Sequence, residues 1–267
     1  MLFNNPRFTP LIFLALLTAS NHVLAETAEE KGLRIAKEAK QRDQGWQDSQ
    51  ADMAMILSNS EGQESRRELR IKTLEIADDG DKSLTIFDHP ADVKGTAFLS
   101  FSHAVEADEQ WLYLPALKRV KRISSRNKSG PFMGSEFAYE DLASFEVAKY
   151  HYRYLRDEVC PDQPMTCHVA EYYPNDPHSG YTRQIVWLDV DEYRPWKIEF
   201  YDRKNSLLKT LTHSDYQQYL NHYWRPDRML MVNHQTGKST ELTWQNYRFQ
   251  TGLDAADFNR NSLKRAR

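Results

Sequence analysis

From residue 51 onward the chain is a series of short runs of β-branched and aromatic residues, each bounded by a turn signal such as Lys94-Gly95 or Thr236-Gly237. Runs of this kind, joined by links of hairpin length, are typical of antiparallel strands. The pattern predicts thirteen strands, at residues 52–58, 64–76, 83–88, 96–102, 110–114, 119–124, 145–157, 166–173, 182–189, 195–201, 207–213, 229–233 and 239–249.

Residues 26–50 follow a different period. Leu33, Ile35 and Ala36 recur among charged residues at roughly helical spacing, which predicts an N-terminal helix with a narrow apolar stripe. Because no further helices alternate with the strands, the pattern favours a long antiparallel meander that curls into a barrel or half-open barrel. No linker, repeat or change of composition divides residues 26–267, so we predict a single, mainly β domain there.

The longest break between strands is at residues 125–143. This segment is rich in Gly and Ser, is too long for a hairpin, and ends in a predicted short helix near residues 139–143. Loops of this length in compact domains are commonly lids or binding segments. The predicted lid residues are Phe132, Met133 and Phe137.

Several predicted strands are apolar on both faces. In residues 184–189, Ile185 and Trp187 share one face, and Val186 and Leu188 share the other. Such a strand needs a cover on its second face, because exposed apolar area costs roughly 25 cal/mol per Å². The predicted helices are too few to cover every strand of this kind, which points to an apolar cavity inside the barrel.

Face parity within the strands predicts which side chains line this cavity, and a shift of one residue exchanges the two faces. The alternative is that the N-terminal helix and the loop at residues 125–143 fill the interior with the protein's own side chains. The predicted lining residues are Met53, Met55, Trp111, Tyr113, Ile185, Trp187, Trp196 and Ile198.

The first 25 residues have the parts of a secretory signal peptide: a short, weakly basic start, an apolar run at residues 11–19, and the small residues Val23 and Ala25 before a cleavage site. The apolar run is about half the ~20 residues that span a bilayer, which disfavours a retained anchor. We expect cleavage after Ala25 and export of residues 26–267 as a soluble protein.

The only two cysteines, Cys160 and Cys167, flank two prolines between two predicted strands. In an oxidising compartment a pair at this spacing closes a small hairpin loop. The spacing is not that of a redox or metal motif, so we expect a structural disulfide.

Composition and motifs disfavour several classes of function. Lys and Arg number 35 against 38 Asp and Glu, a net charge of −3, so the chain lacks the basic excess that nucleic-acid binding needs. Its nine histidines form no HxH, HExxH or Cys/His cluster, and no GxSxG, Walker or GxGxxG sequence occurs. We therefore predict no metal ion, no cofactor and no catalytic residue, with an unrecognised hydrolase as a minor alternative.

One basic cluster lies on a predicted strand that begins at residue 119. It has two interpretations. It is an edge strand whose charges discourage pairing with other sheets, or it is a docking patch for anionic lipid head groups or for the acidic face of a partner protein. The predicted docking residues of the cluster are Lys118, Arg119, Lys121 and Arg122, and Arg126 and Lys128 extend it after the strand.

Four segments resemble the outer-membrane lipoprotein-sorting protein family, the LolA-like periplasmic proteins. They are WLYLPALKRVKRIS at residues 111–124, SGPFMGSEFAYEDL at 129–142, IVWLDVDEYRPWKIEFYDRKNSLLKT at 185–210 and DFNRNSLKR at 257–265. The resemblance implies a half-open antiparallel β-barrel of the LolA/LolB type whose mouth is closed by helices, a hydrophobic cavity for acyl chains, and no catalytic residues.

Pattern and resemblance together predict a periplasmic, non-catalytic carrier or adaptor that binds a lipid or a lipoprotein acyl chain, with transient membrane contact. The subgroup that the chain resembles is associated with membrane exporters of the RND type, which makes such an exporter the expected partner. The alternative is a protein-interaction module that binds no ligand and docks on an exporter or an outer-membrane assembly through the basic cluster.

Overall fold

The computed structural model describes residues 1–2 and 25–264. The predicted signal peptide falls almost wholly on residues 3–24, which lie outside the described residues. Within the described part of the chain, no helix is both long enough and apolar enough to cross a membrane.

The thirteen predicted strands are confirmed, and they form one antiparallel sheet. Their bounds are β1 (Asp48–Ser58), β2 (Glu64–Leu74), β3 (Lys82–His89), β4 (Ala97–Phe101), β5 (Glu109–Leu114), β6 (Arg119–Ile123), β7 (Tyr150–Val159), β8 (Thr166–Pro174), β9 (Tyr181–Asp189), β10 (Pro195–Asp202), β11 (Leu207–Tyr219), β12 (Tyr223–Asn233) and β13 (Ser239–Phe249).

The order of strands across the sheet is β6-β5-β4-β3-β2-β1-β13-β12-β11-β10-β9-β8-β7. Two meanders are therefore joined where β1 pairs with β13, the one pair of neighbours that are distant in sequence. The strands β6 and β7 are the two edges and do not pair with each other, so the sheet stays open. The predicted mainly β fold, a half-open antiparallel barrel, is confirmed.

The helix α1 (Ala28–Arg42) begins at a capping box, in which Thr27 accepts a hydrogen bond from the Glu30 amide and Glu30 accepts one from the Thr27 amide at 2.9 Å. The helix packs closely on β7, because a Cβ at Gly32 would lie 2.9 Å from the backbone nitrogens of Arg153 and Tyr154. Ile35 and Ala36 are fully buried against the tyrosines of β7 and β8.

The predicted N-terminal helix is confirmed, but it ends eight residues earlier than the pattern indicates. The chain turns at Gly45, whose φ of +98° suits a residue without a side chain. Glu75 fixes this turn by accepting hydrogen bonds from the amides of Gly45 and Gln47, at 2.6 and 2.8 Å. Strand β1 therefore starts at Asp48, within the stretch assigned to the helix.

The segment between β6 and β7, residues 124–149, crosses the open side of the barrel, and we call it the plug loop. Its predicted short helix near residues 139–143 is present as a 3₁₀ helix, Tyr139–Leu142. Phe132 and Phe137 of the plug loop are almost fully buried in the main core, with the Phe132 ring centroid 5.1 Å from that of Phe98. The plug loop thus fills one end of the barrel, which we call the far end.

The outer face of the sheet carries two smaller cores. Phe258 and Leu263, near and within α2 (Arg260–Leu263), cover the outer face of β3, β4 and β5. On the other side, a disulfide joins Cys160 to Cys167 across the β7–β8 hairpin, as predicted, and packs with Trp187 and Trp196.

Candidate ligand-binding cavity

A cavity of about 680 Å³ lies on the inner face of the sheet, between α1 and the plug loop. It opens at the end of the barrel opposite the far end, which we call the mouth. Exposed residues at the end of α1 and in the β9–β10 and β11–β12 turns line its rim, among them Asp43, Glu192 and His222.

One wall of the cavity is apolar. Leu188 and Val186 of β9 are buried there beside Tyr172 of β8, and α1 packs over the same three side chains. Side chains from at least five further elements complete this wall. They include Ile71, Phe98, Leu142, Phe145, Ile198, Met229 and Trp244.

The opposite wall carries acidic side chains in the β2–β3 turn. Burial raises the pKa of Asp81 to about 6, an effect opposed by the nearby ammonium of Lys40 and reinforced by the carboxylate of Glu146. Asp79, two residues away, accepts a hydrogen bond from the Ala104 amide at 2.7 Å, which lowers the pKa of Asp79 to about 2. Two carboxyl groups in one turn therefore differ sharply in their affinity for a proton.

Lys40 of α1 is held at this wall. Its ammonium lies 2.9 Å from Glu146, a nearly buried carboxylate at the end of the plug loop. Glu146 also accepts a hydrogen bond from the Ser144 hydroxyl at 2.9 Å. This contact ties the last turn of α1 to the plug loop across the mouth.

His213 of β11 lines the cavity and is 6% exposed. Burial lowers its pKa to about 4, so the imidazole is neutral at pH 7. Among the described residues, its Nδ1 and the indole nitrogen of Trp224, another lining residue, are buried without a hydrogen-bond partner. Unsatisfied buried polar atoms of this kind favour a polar group, from water or ligand, at this end of the cavity.

One guanidinium at the rim, that of Arg194, lies among several aromatic rings. Arg194 lies 2.8 Å from Asp189, a carboxylate with no exposed surface, and 4.4 Å from the ring centroid of Trp224. The rings of Trp196 and Tyr216 lie 5.4 Å from the same guanidinium. The ion pair and the rings fix the β9–β10 turn against β11 and β12.

The predicted lining residues fall into three positions. Ile198 lines the cavity. Met53 and Met55 lie on the inner face but belong to the main core at the far end, together with the predicted lid residues Phe132 and Phe137. Met133 is half-buried and packs on that same core. The ligand-binding role of these six residues stays a prediction.

Five other predicted lining residues lie on the outer face, which corrects the parity assumed from the sequence. Trp111 and Tyr113 pack under the C-terminal segment, and Ile185, Trp187 and Trp196 pack around the disulfide. The outer faces of these strands are apolar because the C-terminal segment and the disulfide-bonded hairpin cover them. The alternating pattern does not distinguish a covered outer face from an inner face.

The neighbours of these residues take the inner positions. Val186 and Leu188 line the cavity, and Leu112 and Leu114 pack on the inner core. A signal for the correct face was available on β9, since a disulfide in the adjacent hairpin supplies an apolar cover for Trp187. No sequence signal marked His213 or Met229 as lining residues.

The basic cluster lies on β6, the strand at one edge of the sheet. Lys118, Arg119, Lys121 and Arg122 are all exposed. Their docking role stays a prediction. They lie at the edge of the sheet opposite to β7, the strand on which α1 packs.

A domain from Vibrio parahaemolyticus, described as an outer membrane lipoprotein-sorting protein domain, is 63% identical to this chain and superposes with a TM-score of 0.86. The match spans 88% of this chain and 99% of the Vibrio chain. A DUF1329 family protein from Desulfovibrio piger is 28% identical over 89% of this chain and 99% of its own, with a TM-score of 0.83.

A LolA superfamily protein from Nitrosomonas europaea shares the fold, with a TM-score of 0.68 at 22% identity over 86% of this chain and 98% of its own. A protein-family model described only as an uncharacterized protein matches residues 79–265. No curated protein matches the chain. At 63% identity over 88% of its length, the chain belongs to the family of the outer membrane lipoprotein-sorting protein domain, and it shares its half-open barrel fold with the LolA superfamily protein.

Proposed function

We propose that the protein is a periplasmic, non-catalytic carrier that holds a lipid or lipoprotein acyl chain in the cavity beneath α1. The observation that carries this proposal is a cavity of about 680 Å³ with an apolar wall formed around Val186, Leu188 and Tyr172. A chain 63% identical, described as a lipoprotein-sorting domain, supports the same class of function.

Hydrocarbon burial supplies the driving force for binding. Each buried methylene contributes about 0.8 kcal/mol, so a chain of six to eight carbons in the cavity gains roughly 5–6 kcal/mol before entropy losses. The two unpartnered polar atoms of His213 and Trp224 favour a cargo that carries a polar group beside its alkyl chain.

Release requires the cover of the cavity to move. The lid residues proposed from the sequence, Phe132 and Phe137, are packed in the far-end core, whereas α1 covers the apolar wall itself. We therefore assign the movable cover to α1, whose last turn is held by the Lys40–Glu146 ion pair. The exchange partner is a membrane component, and the family resemblance suggests an RND-type exporter.

The test is lipid extraction and mass spectrometry on protein purified from a host with membranes, followed by titration of the delipidated protein with an environment-sensitive acyl probe. We expect a stoichiometric lipid and a saturable fluorescence increase that added fatty acid reverses. Absence of both a co-purified lipid and a displaceable probe would contradict the carrier and leave a docking module as the alternative.

A further inference from the structure

The two edge strands of the sheet differ, because α1 packs against β7 and no described helix or strand covers the outer edge of β6. At one edge, α1 lies along β7, with Gly32 against its backbone and the Lys31 ammonium 3.5 Å from the ring centroid of Tyr154. At the other edge, β6 pairs with β5 alone, and no other described segment pairs with it. The outward peptide groups of β6 are therefore open to a further strand.

The charge of this open edge is uniformly positive. Of its basic side chains only Arg122 has an ion pair within the described residues, at 2.9 Å from Glu109. Lys118, Arg119 and Lys121 are exposed and form none. Leu117, in the turn before them, is 63% exposed.

The positive side chains lie on both faces of the strand. Lys121 and Arg119 are opposite Leu112 and Leu114, whose side chains pack on the inner core. Arg122 is opposite Trp111, which packs on the outer face. A strand added beside β6 would thus meet cations on both sides of the sheet.

These charges select the occupant. A second copy of the chain, adding its own β6 in antiparallel fashion, would place cations against cations, and directly opposed like charges destabilise a strand pair. An extended acidic segment gives the opposite result, because each carboxylate on either face meets a lysine or arginine.

We propose that β6 is a docking edge that binds an acidic, extended segment of a partner protein by strand addition. The backbone of β6 supplies hydrogen bonds, and Arg119, Lys121 and Arg122 supply the charge preference. The site is separate from the cavity, whose lining residues come from other strands, from α1, from the end of the plug loop and from turns, and include none of β6. Docking at β6 therefore leaves the cavity open to its cargo, and the proposal does not depend on the carrier function.

The probe is a fluorescein-labelled decapeptide in which pairs of glutamates alternate with single threonines, measured by fluorescence anisotropy against the full chain. A second peptide keeps the glutamates and replaces the central threonines with proline, which removes backbone donors and breaks strand pairing without changing charge. We expect the first peptide to bind and the proline peptide to bind at least about tenfold more weakly. Equal binding of both peptides would overturn strand addition.

The protein variant is Lys118→Glu/Arg119→Glu/Lys121→Glu, and the matched control is Lys94→Glu/Lys204→Glu/Lys238→Glu, which changes the net charge equally at exposed positions elsewhere. We expect at least about a tenfold loss of peptide affinity in the first variant, about threefold in Lys121→Glu alone, and less than twofold in the control. Equal losses in both triple variants would mean that total charge, not this edge, governs binding.

Two further measurements complete the test. Acyl-probe affinity of the β6 triple variant should equal that of the native protein, which separates a failed docking proposal from a failed carrier proposal and shows that the variant is folded. Vesicles containing phosphatidylglycerol are the competing partner. Binding of these vesicles that the β6 charges control, together with no binding of the peptide, would assign the edge to an anionic membrane surface instead and overturn the proposal.

Discussion

The ammonium of Lys209 on β11 lies 2.7 Å from a carboxylate oxygen of Asp141 in the plug loop, and both side chains are almost fully buried. Lys209 also donates to the Glu136 carbonyl at 2.8 Å, and Asp141 accepts from the Tyr181 hydroxyl at 2.8 Å. The plug loop starts after β6, at one edge of the sheet. The Lys209–Asp141 pair joins it to β11, in the other half of the sheet.

Lys209→Met is expected to destabilise the protein by about 3–5 kcal/mol, because it leaves the buried carboxylate of Asp141 without its cation. The plug loop should also loosen, since Lys209 is bonded to it at two points. The measurement is the free energy of unfolding in urea, with hydrogen exchange of residues 130–142 as a local readout.

The matched control for Lys209→Met is Arg66→Met. Arg66 lies 3.6 Å from Glu68 at a mostly exposed position, where an ion pair contributes less than about 1 kcal/mol. Similar losses in the two variants would show that the Lys209–Asp141 pair does not fasten the plug loop.

Asp81→Asn is expected to stabilise the protein at neutral pH. The pKa of Asp81 is about 6 in the folded protein against 3.8 ordinarily, so the folded state binds a proton more tightly than the unfolded state. The resulting stability is present below pH 3.8 and is lost as pH rises through 6, a change of up to about 3 kcal/mol. Urea unfolding at pH 4 and pH 7.5 should show a gain for the variant at the higher pH only.

Asp78→Asn, in the same turn, is the control for Asp81→Asn, because Asp78 is exposed and asparagine suits its positive φ of 62°. Because the exposed Asp78 side chain is not desolvated, we expect this variant to lack the gain in stability at pH 7.5 that Asp81→Asn gives. If Asp81→Asn behaves in the same way, its carboxyl group is not desolvated as the cavity wall implies.

His213→Gln is expected to have the opposite pH dependence. The pKa of His213 falls from 6.5 to about 4 on burial, so the unfolded state binds the proton more tightly. Stability from the neutral imidazole is present above pH 6.5 and is lost as pH falls through 4, by about 3 kcal/mol. Relative to the native protein, the variant should therefore gain stability on acidification, as measured by urea unfolding between pH 4 and 7.

The exposed His222, at the rim of the same cavity, provides the control His222→Gln. Because the exposed His222 side chain is not desolvated, we expect this variant to lack the gain on acidification that His213→Gln gives. Because Asp81 and His213 act in opposite directions over the same pH range, their effects partly cancel in the native protein, and only the single variants reveal them. A His213→Gln profile parallel to that of the native protein would rule out this role.

Alternation and turn chemistry were sufficient to locate the strands, because both are local properties of the chain. They were not sufficient for the helix end at Arg42, where Glu75 fixes the turn from a distant position. They also left β11 and β12 short, since polar residues such as Gln217 and Gln218 continue a hairpin whose partners already pair.

The cavity was predicted in kind, but of its predicted lining residues only Ile198 lies in it. On β9 alternation alone assigns Trp187 and Leu188 equally to either face, and the choice depends on what covers the outer face. On β9 this cover is the disulfide-bonded β7–β8 hairpin, and on β3, β4 and β5 it is the C-terminal segment around Phe258; only the assembled fold brings either cover into place. Long-range covers of this kind leave no periodic signal in the strand itself.

Thr73→Trp is expected to reduce acyl-probe affinity at least about tenfold. Thr73 lines the cavity from β2 at a half-buried position opposite Ser83, another lining residue, so an indole there occupies space that a hydrocarbon chain would fill. Loss of two methylene contacts, at about 0.8 kcal/mol each, already corresponds to more than tenfold. The control is Lys72→Trp, the next residue, whose side chain points to the other face of β2 and is absent from the lining. Fluorescence titration of both variants, with urea unfolding to verify that each is folded, decides the matter: equal affinities would place the acyl site outside this cavity.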